Sequence, residues 1–197
     1  MALAHSSAPW NPSSMLIYSM GVSVDGFIAD RFGSFDWSVP SDDLFRFHLD
    51  RVSELGATLL GRRLYETMRV WETDPSFRDS PDANAFADVW TALPKVVFSH
   101  TLEGVEGNAR LAEGTLAEEV AAVIESTPKD VEIGGADLAA HAFELDLIDE
   151  IRIFRYPIIV GGGPPFLPPL AQPLPLDLIE TRTFDSRVIY ERYRRTR

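Results

Sequence analysis

Four segments of this 197-residue chain combine residue types that could handle a phosphorylated ligand or a proton. Leu59-Leu60-Gly61-Arg62-Arg63 reads as a strand that ends at glycine and turns into a helix. Free amides at a helix start attract anions, and a guanidinium fork grips phosphate through two bonds at once. Two solvated surface arginines are the plainer alternative. Val97-Phe98-Ser99-His100-Thr101 puts hydroxyls and an imidazole at a strand end, where a ribose phosphate could be held. A structural or solvated histidine fits there as well. Ile133-Gly134-Gly135-Ala136-Asp137-Leu138 places two glycines between strand and helix, so the backbone could approach a pyrophosphate closely. Connectivity alone also produces such a turn. The fourth segment is Ser23-Val24-Asp25-Gly26-Phe27-Ile28-Ala29, followed by Trp37 and Pro40-Ser41-Asp42-Asp43. A carboxylate in an apolar, Trp-lined cleft can orient a substrate or donate a proton. Helix-start electrostatics accounts for Asp42 and Asp43 equally well, and core packing for Trp37.

Other chemistries lack their residues. No G-x-G-x-x-G opens a strand-turn-helix unit, so a Rossmann dinucleotide site is not expected. Gly161-Gly162-Gly163-Pro164-Pro165 lacks the Lys-Ser/Thr of a P-loop, and its prolines remove amides. His5, His48, His100 and His141 form no i,i+4 metal-ligand pair. There is no nucleophile elbow and no cysteine, which excludes disulfides and thiolate sites.

The elements that must carry these segments alternate. Met15–Val22, Ala57–Leu60, Lys95–Ser99, Asp130–Ile133 and Glu150–Ile159 are short, apolar strand candidates. A helix starts near Ser41, which can cap it, and buries one face through Phe45, His48, Leu49, Val52 and Leu55. Further helices are expected from Arg62 to about Arg69, over Asn84–Leu93, from the capping box Thr115-Leu-Ala-Glu118 to about Ser126, and over Ala136–Leu145. Residues 72–84 read as a loop. The proline-rich stretch from Pro157 to Pro175 reads as a stiff irregular loop. Leu176–Arg182 and Arg187–Tyr193 flank a turn at Asp185-Ser186 and suggest a closing hairpin. This is an α/β pattern, a mostly parallel sheet flanked by helices with an antiparallel hairpin at its end.

The length suits one domain over 15–197 behind a flexible arm over 1–14. The arm lacks the basic and apolar regions of a signal peptide. A net charge of -12 repels phosphate backbones, so nucleic acid is not an expected partner. No run approaches ~18 consecutive apolar residues, so no membrane span is expected.

In their order these motifs resemble the dihydrofolate-reductase-like superfamily, closest to the riboflavin-biosynthesis reductase branch. The ordered set is S-x-D-G-x-I-A, D-W, G-R-R-x-Y-E, a strand ending S-x-T, I-G-G-A, D-E-I-R-I and P-I-I-V-G-G-G, covering about residues 15–193. The resemblance implies a three-layer fold, a cytoplasmic homodimer and an NADPH-dependent reductase. It also implies hydride transfer to a C=N or C=O group of a small pterin- or riboflavin-precursor-like substrate, as in 5-amino-6-(5-phosphoribosylamino)uracil or dihydrofolate reduction. It assigns Gly21 and Ile28 to the nicotinamide and Gly61, Arg62, Arg63 and Leu64 to the phosphates. Ser99, His100 and Thr101 go to the adenosine and its 2′-phosphate. Gly134, Gly135, Ala136, Asp137 and Leu138 go to the pyrophosphate, with a cis Gly134–Gly135 bond. Asp42 or Asp43 would orient the substrate, Asp25 would shape the turn over the nicotinamide, and Trp37 would wall the pocket. Leu64 and Ala139 stand where folate reductases carry Thr and Tyr, which turns the expectation away from dihydrofolate itself. A non-catalytic nucleotide-, flavin- or pterin-binding protein on the same fold is the alternative.

Overall fold

The computed structural model describes residues 14–196. The arm expected over 1–14 lies, apart from Ser14, outside the described residues, as does His5. In chain order the elements are β1 (Leu16–Ser23), α1 (Asp42–Ser53), β2 (Ala57–Gly61), α2 (Arg62–Met68), α3 (Val70–Thr73), α4 (Pro81–Ala92), β3 (Lys95–Phe98), β4 (Ala109–Leu111), α5 (Leu116–Ser126), β5 (Val131–Gly134), α6 (Ala136–Glu144), β6 (Glu150–Tyr156), β7 (Leu176–Thr183) and β8 (Ile189–Arg195). Short 3-10 turns cover Asp36–Ser38 and Pro75–Phe77.

The strands form one sheet in the order β4-β3-β2-β5-β1-β6-β8-β7. Strands β1 to β6 run parallel, and β8 pairs antiparallel with both β6 and β7. The expected α/β architecture with its C-terminal hairpin is therefore borne out.

Alternation along each strand sends neighbouring side chains to opposite faces. Leu59 joins a core with Leu16, Tyr18, Val131 and Ile133 that α5 and α6 cover through Val120, Val123, Ala139 and Phe143. Leu60 joins Val97 on the other face, under Tyr65 of α2 and Phe86 and Trp90 of α4. Further along that face Phe154 and Tyr190 meet Leu44 and Phe47 of α1. Helix α1 buries more than the single face expected. Leu44 and Phe47 pack toward the β6–β8 side, while Phe45, Leu49 and Val52 pack toward α2 and α4.

Three local expectations need correction. Residues 72–84 are not one loop, because α4 starts at Pro81. The Ser80 hydroxyl accepts the Ala83 amide at 3.1 Å and Pro81 pre-sets the first turn. Ser41 stands at the N-cap of α1 but makes no cap bond. Its Oγ donates to Asp43 Oδ1 at 2.5 Å instead. The three-residue strand β4 has no counterpart in the sequence reading. The capping box of α5 forms as expected, with Glu118 N donating to Thr115 Oγ1 and Thr115 N donating to Glu118.

Candidate active site

A cleft of about 1520 Å³ runs along the carboxyl ends of β3, β2, β5 and β1. These strands are consecutive in the sheet, so the cleft spans about 14 Å at ~4.8 Å per strand. Open α/β sheets bind ligands at this edge, where loops and helix starts converge. A smaller cavity of about 330 Å³ lies at the opposite, amino ends of β2, β3 and β4, beside Pro94 and Asn108. None of the residues singled out in the sequence lines it.

The centre of the cleft is built by two neighbouring turns. Leu60 pairs with Gly134 in the sheet, so α2 and α6 begin side by side. Neither helix start carries a side-chain cap. Gly135 has φ +98, and a Cβ there would stand 3.7 Å from the Gly61 nitrogen. The expected cis bond is not present: the Gly134–Gly135 peptide is trans, as are all peptides of the described residues. The positive φ of Gly135 reverses the chain without isomerisation. Gly134 is itself covered, since a Cβ there would run into Leu64 Cδ2. Leu64 thus packs over the turn as well as lining the cleft.

Arg62 and Arg63 line the cleft beside this turn. Arg62 reaches Glu66 at 3.8 Å, with both side chains nearly half exposed. Such a pair is weak and leaves the guanidinium available. Ser99 and His100 extend the wall past β3, joined by Glu113 and Gly114 from the loop before α5. The Ser99 hydroxyl accepts the amides of Thr101 and Leu102 at 3.1 and 3.0 Å. This tight turn leaves Thr101 off the cleft wall. Glu119 holds the facing loop, accepting from Arg110 and from the Glu113 and Gly114 amides at 2.8 and 3.1 Å. Its bond from Arg110 outweighs desolvation and holds its pKa down to about 2.

At the β1 end, Gly21 and Ile28 line the cleft with Met20, Phe35 and Ser38. Two loops are joined here. The Ile28 amide donates to Pro164 O at 3.0 Å and the Phe166 amide to Gly26 O at 2.9 Å. Asp25 accepts the Val160 and Gly161 amides at 3.1 and 2.8 Å. Desolvation pushes the Asp25 pKa up, but bonds from Ser23 and these two amides win and hold it below the usual carboxylate range. Arg31 adds a bond to Gly161 O at 2.6 Å. Asp25 therefore fastens the Gly-Pro loop and does not itself face the cleft.

The remaining substrate-side residues are displaced from the expectation. Neither Asp42 nor Asp43 lines the cleft. Asp43 Oδ1 accepts from Ser41 Oγ and, at 2.9 Å, from the Leu44 amide, and its Oδ2 accepts the Asp185 amide at 3.0 Å. The Ser41 bond leads in holding its pKa low. Asp42 is exposed. Trp37 stands edge-on to Tyr156 at 5.5 Å, and Tyr156 donates to Ser38 O at 2.9 Å. Trp37 thus supports the turn whose next residue, Ser38, lines the cleft.

Of the fourteen residues expected at the cofactor, twelve line this one cleft and only Thr101 and Gly134 do not. The sequence reading missed Asp30–Gly33, Phe35, Thr67, Glu113, His141 and Glu144, which also line it. Their side chains follow no motif; only His141 and Glu144, one turn apart on α6, share a recognisable spacing.

A mostly parallel, helix-flanked sheet with a C-terminal hairpin and a cleft along its carboxyl edge defines a dihydrofolate-reductase-like fold. Dihydrofolate reductase from Enterococcus faecalis, solved in complex with NADP(H), has this architecture: TM-score 0.61, 15% identity, covering 94% of this chain and 98% of that one. The chain belongs to the RibD C-terminal domain family, which matches residues 14–190, and the family includes reductases. A Shewanella sp. PV-4 protein named for riboflavin biosynthesis is 27% identical with a TM-score of 0.74, covering 93% of this chain and 99% of that one. The Bacillus subtilis protein YyaP, itself uncharacterized, is 28% identical over 88% of this chain and 91% of its own length. Among the described residues no helix is long and apolar enough to cross a membrane.

Proposed function

We propose that this protein is a cytoplasmic NADPH-dependent reductase that transfers hydride to a C=N or C=O group of a small heterocycle of the pterin or riboflavin-precursor kind. The observation that carries the reading is the pairing of two uncapped helix starts across Gly61 and Gly135, with Arg62 and Arg63 beside them. This donor set fits a pyrophosphate: the amides of Ala136, Asp137 and Leu138 begin a nine-residue helix, and the φ of +98 at Gly135 favours a residue without a side chain at the turn. Bound NADPH would supply the hydride. The chain's own part is to bind and orient. Gly135–Leu138 cradle the pyrophosphate, and Arg62, Arg63 and His100 meet the 2′-phosphate. Gly21 and Ile28 offer backbone groups to the carboxamide, in the loop that Asp25 fastens. Family membership and the likeness to a folate reductase support the same cofactor. A chain without cysteine suits the reducing cytoplasm.

Two observations favour a second reading. Asp43 spends both carboxylate oxygens on structure, and Ala139, where folate reductases carry Tyr, is fully buried. A nucleotide-, flavin- or pterin-binding protein without turnover is consistent with this.

Thermal unfolding with NADPH and with NADH tests both. A ligand at ~100 times its Kd adds about 2.7 kcal/mol of stability. The reductase reading expects a larger shift with NADPH, followed by substrate-dependent NADPH oxidation across a panel of pterins, pyrimidines and carbonyl compounds. A shift without oxidation favours the second reading, as does a yellow or fluorescent purified protein. No shift with either nucleotide overturns both nucleotide readings.

A further inference from the structure

The α1 face of the sheet is apolar on both sides and polar in the middle. Leu60 and Val97 belong to one core there, Phe154 and Tyr190 to another. Between them lie β5 and β1. Thr58 pairs with Glu132 and Leu60 with Gly134, so Glu132 shares the face of Leu60. Register then sets Ile17 beside Glu132 and Ser19 beside Arg152. Ile17 is fully buried, yet it joins neither core. Helix α1 crosses this gap. Leu44 and Phe47 turn to one core, Phe45 and Leu49 to the other, and His48 falls between the two stripes. Its ring lies 4.3 Å from that of Phe154.

The side chains of Glu132, Ser19 and His48 have no hydrogen-bond partner among the described residues, and none is sealed: each is half-buried. Glu132 thus stands at the bottom of a crevice, deep enough that burial pushes its pKa up to about 7. Arg152, the charge that opposes this shift, gives its Nε to Glu150 at 2.8 Å. Burial also holds His48 neutral, its pKa brought down to about 4. A deep carboxyl and imidazole left unpaired cost stability, and perturbed groups of this kind gather at ligand sites. Two residues beyond Ser19, on the same face of β1, Gly21 lines the cleft. The strand that floors the crevice therefore leads into the cleft.

We propose that Glu132 is the carboxyl that recognises the substrate, with Ser19 beside it and His48 above, and that it grips a planar nitrogen heterocycle by a ring-edge N–H and the neighbouring amino group. Two donors on one ring edge match the two oxygens of a carboxylate, as the fork of a guanidinium does. The neutral imidazole and the Ser19 hydroxyl each offer a donor and an acceptor to the other polar atoms of the ring. Glu132 so takes the role for which Asp43 has no oxygen to spare. The subsite rests on the reductase reading for the reaction that follows, whereas its binding is measured without turnover.

Calorimetric titration of the full chain with 2,4-diaminopyrimidine, in the presence of NADPH, tests the proposal. The wild type is expected to bind. Glu132→Gln should weaken binding at least tenfold, because an amide oxygen accepts where the amide nitrogen beside it repels the second donor. This variant is expected to fold and to be the more stable protein at pH 8, so its loss of binding is not a loss of structure. Ser19→Val, which fills the floor of the crevice with an apolar side chain, should weaken binding likewise. Affinity for NADPH, titrated alone, should stay within twofold in both variants. A wild type that binds NADPH but not the diaminopyrimidine overturns the proposal and leaves the nucleotide reading standing. Binding indifferent to both substitutions does the same. A wild type that binds neither compound overturns both.

Discussion

Asp25 and Gly161 stand 136 positions apart, yet the carboxylate of one accepts the amide of the other at 2.8 Å. This bond and its neighbour to Val160 hold the Gly-Pro loop against the turn that carries Ile28. Asp25→Ala should release the loop and weaken nucleotide binding several-fold in a fluorescence titration. The melting temperature should move little, because the carboxylate is at the surface. The low pKa of Asp25 gives the sign of its pH effect. The bond is present above the ordinary carboxylate range and is lost on acidification through the lower folded value. Cofactor affinity should therefore stay flat from neutral pH down to ~4 as far as this group is concerned.

Gly135→Ala tests the centre of the cleft. A side chain at φ +98 is strained, and its Cβ faces Gly61 at 3.7 Å. The substitution should cost about 1–2 kcal/mol of stability in urea unfolding. It should also reduce nucleotide affinity by tenfold or more. A variant that binds as tightly as the wild type would count against the pyrophosphate assignment.

Lys95 predicts a large effect remote from the cleft. Its side chain is fully buried and donates to Glu72 at 2.9 Å and to the Trp90 and Leu93 carbonyls at 2.6 and 2.9 Å. Lys95→Met strands the buried Glu72 carboxylate and should cost about 3–5 kcal/mol. The double variant with Glu72→Gln should recover a large part of that loss in equilibrium unfolding.

Glu132 carries the pH-dependent prediction. Burial on the α1 face of β5 pushes its pKa up to about 7, against the pull of Arg152. A raised carboxylate pKa favours folding below the unfolded value and costs stability as pH rises through the folded one. Glu132→Gln should match the wild type near pH 4 and exceed it by about 1–2 kcal/mol at pH 8 and above. Chemical denaturation at the two pH values measures this.

Asp42 and Asp43 should separate cleanly. Asp43→Asn loses the geometry that ties the start of α1 to the β7–β8 turn and should lower the midpoint of denaturant unfolding. Asp42→Asn, at an exposed position, should stay within ~0.5 kcal/mol of the wild type. Their relative effects on turnover, once a substrate is found, test the carboxylate assignment directly.

What can be read from the sequence is what short stretches decide for themselves. Thr115 and Glu118 name a helix start because both capping partners lie within one turn. The apolar runs of β2 and β5 name buried strands, and the glycines at 61 and 135 mark where those strands must turn. Ser80-Pro81 carries the same kind of signal but is hidden in a polar, proline-containing stretch. Strand β4 forms only because β3 offers it an edge, so Ala109-Arg110-Leu111 has no local signature. The substrate side is the least legible part. Asp43 is occupied by an amide 142 positions away, a contact that helix-start chemistry alone cannot disclose. The Gly-Gly turn shows the same limit, since its residues permit a trans bond with positive φ as readily as the cis bond that the resemblance implies.

The placement of β1 has a consequence for how the protein is made. Strand β1, the first of the described strands in chain order, lies in the middle of the finished sheet, between β5 and β6. Its register partners begin at Val131 and Glu150, so until those residues have been made Leu16, Ile17 and Tyr18 have no strand beside them. Pairings this distant along the chain form slowly, and unpaired apolar strands invite association while they wait. Nascent chains truncated before Glu150 should accordingly remain protease-sensitive at β1 and depend on chaperones. Protection should appear together across β5, β1 and β6 once the sixth strand has emerged.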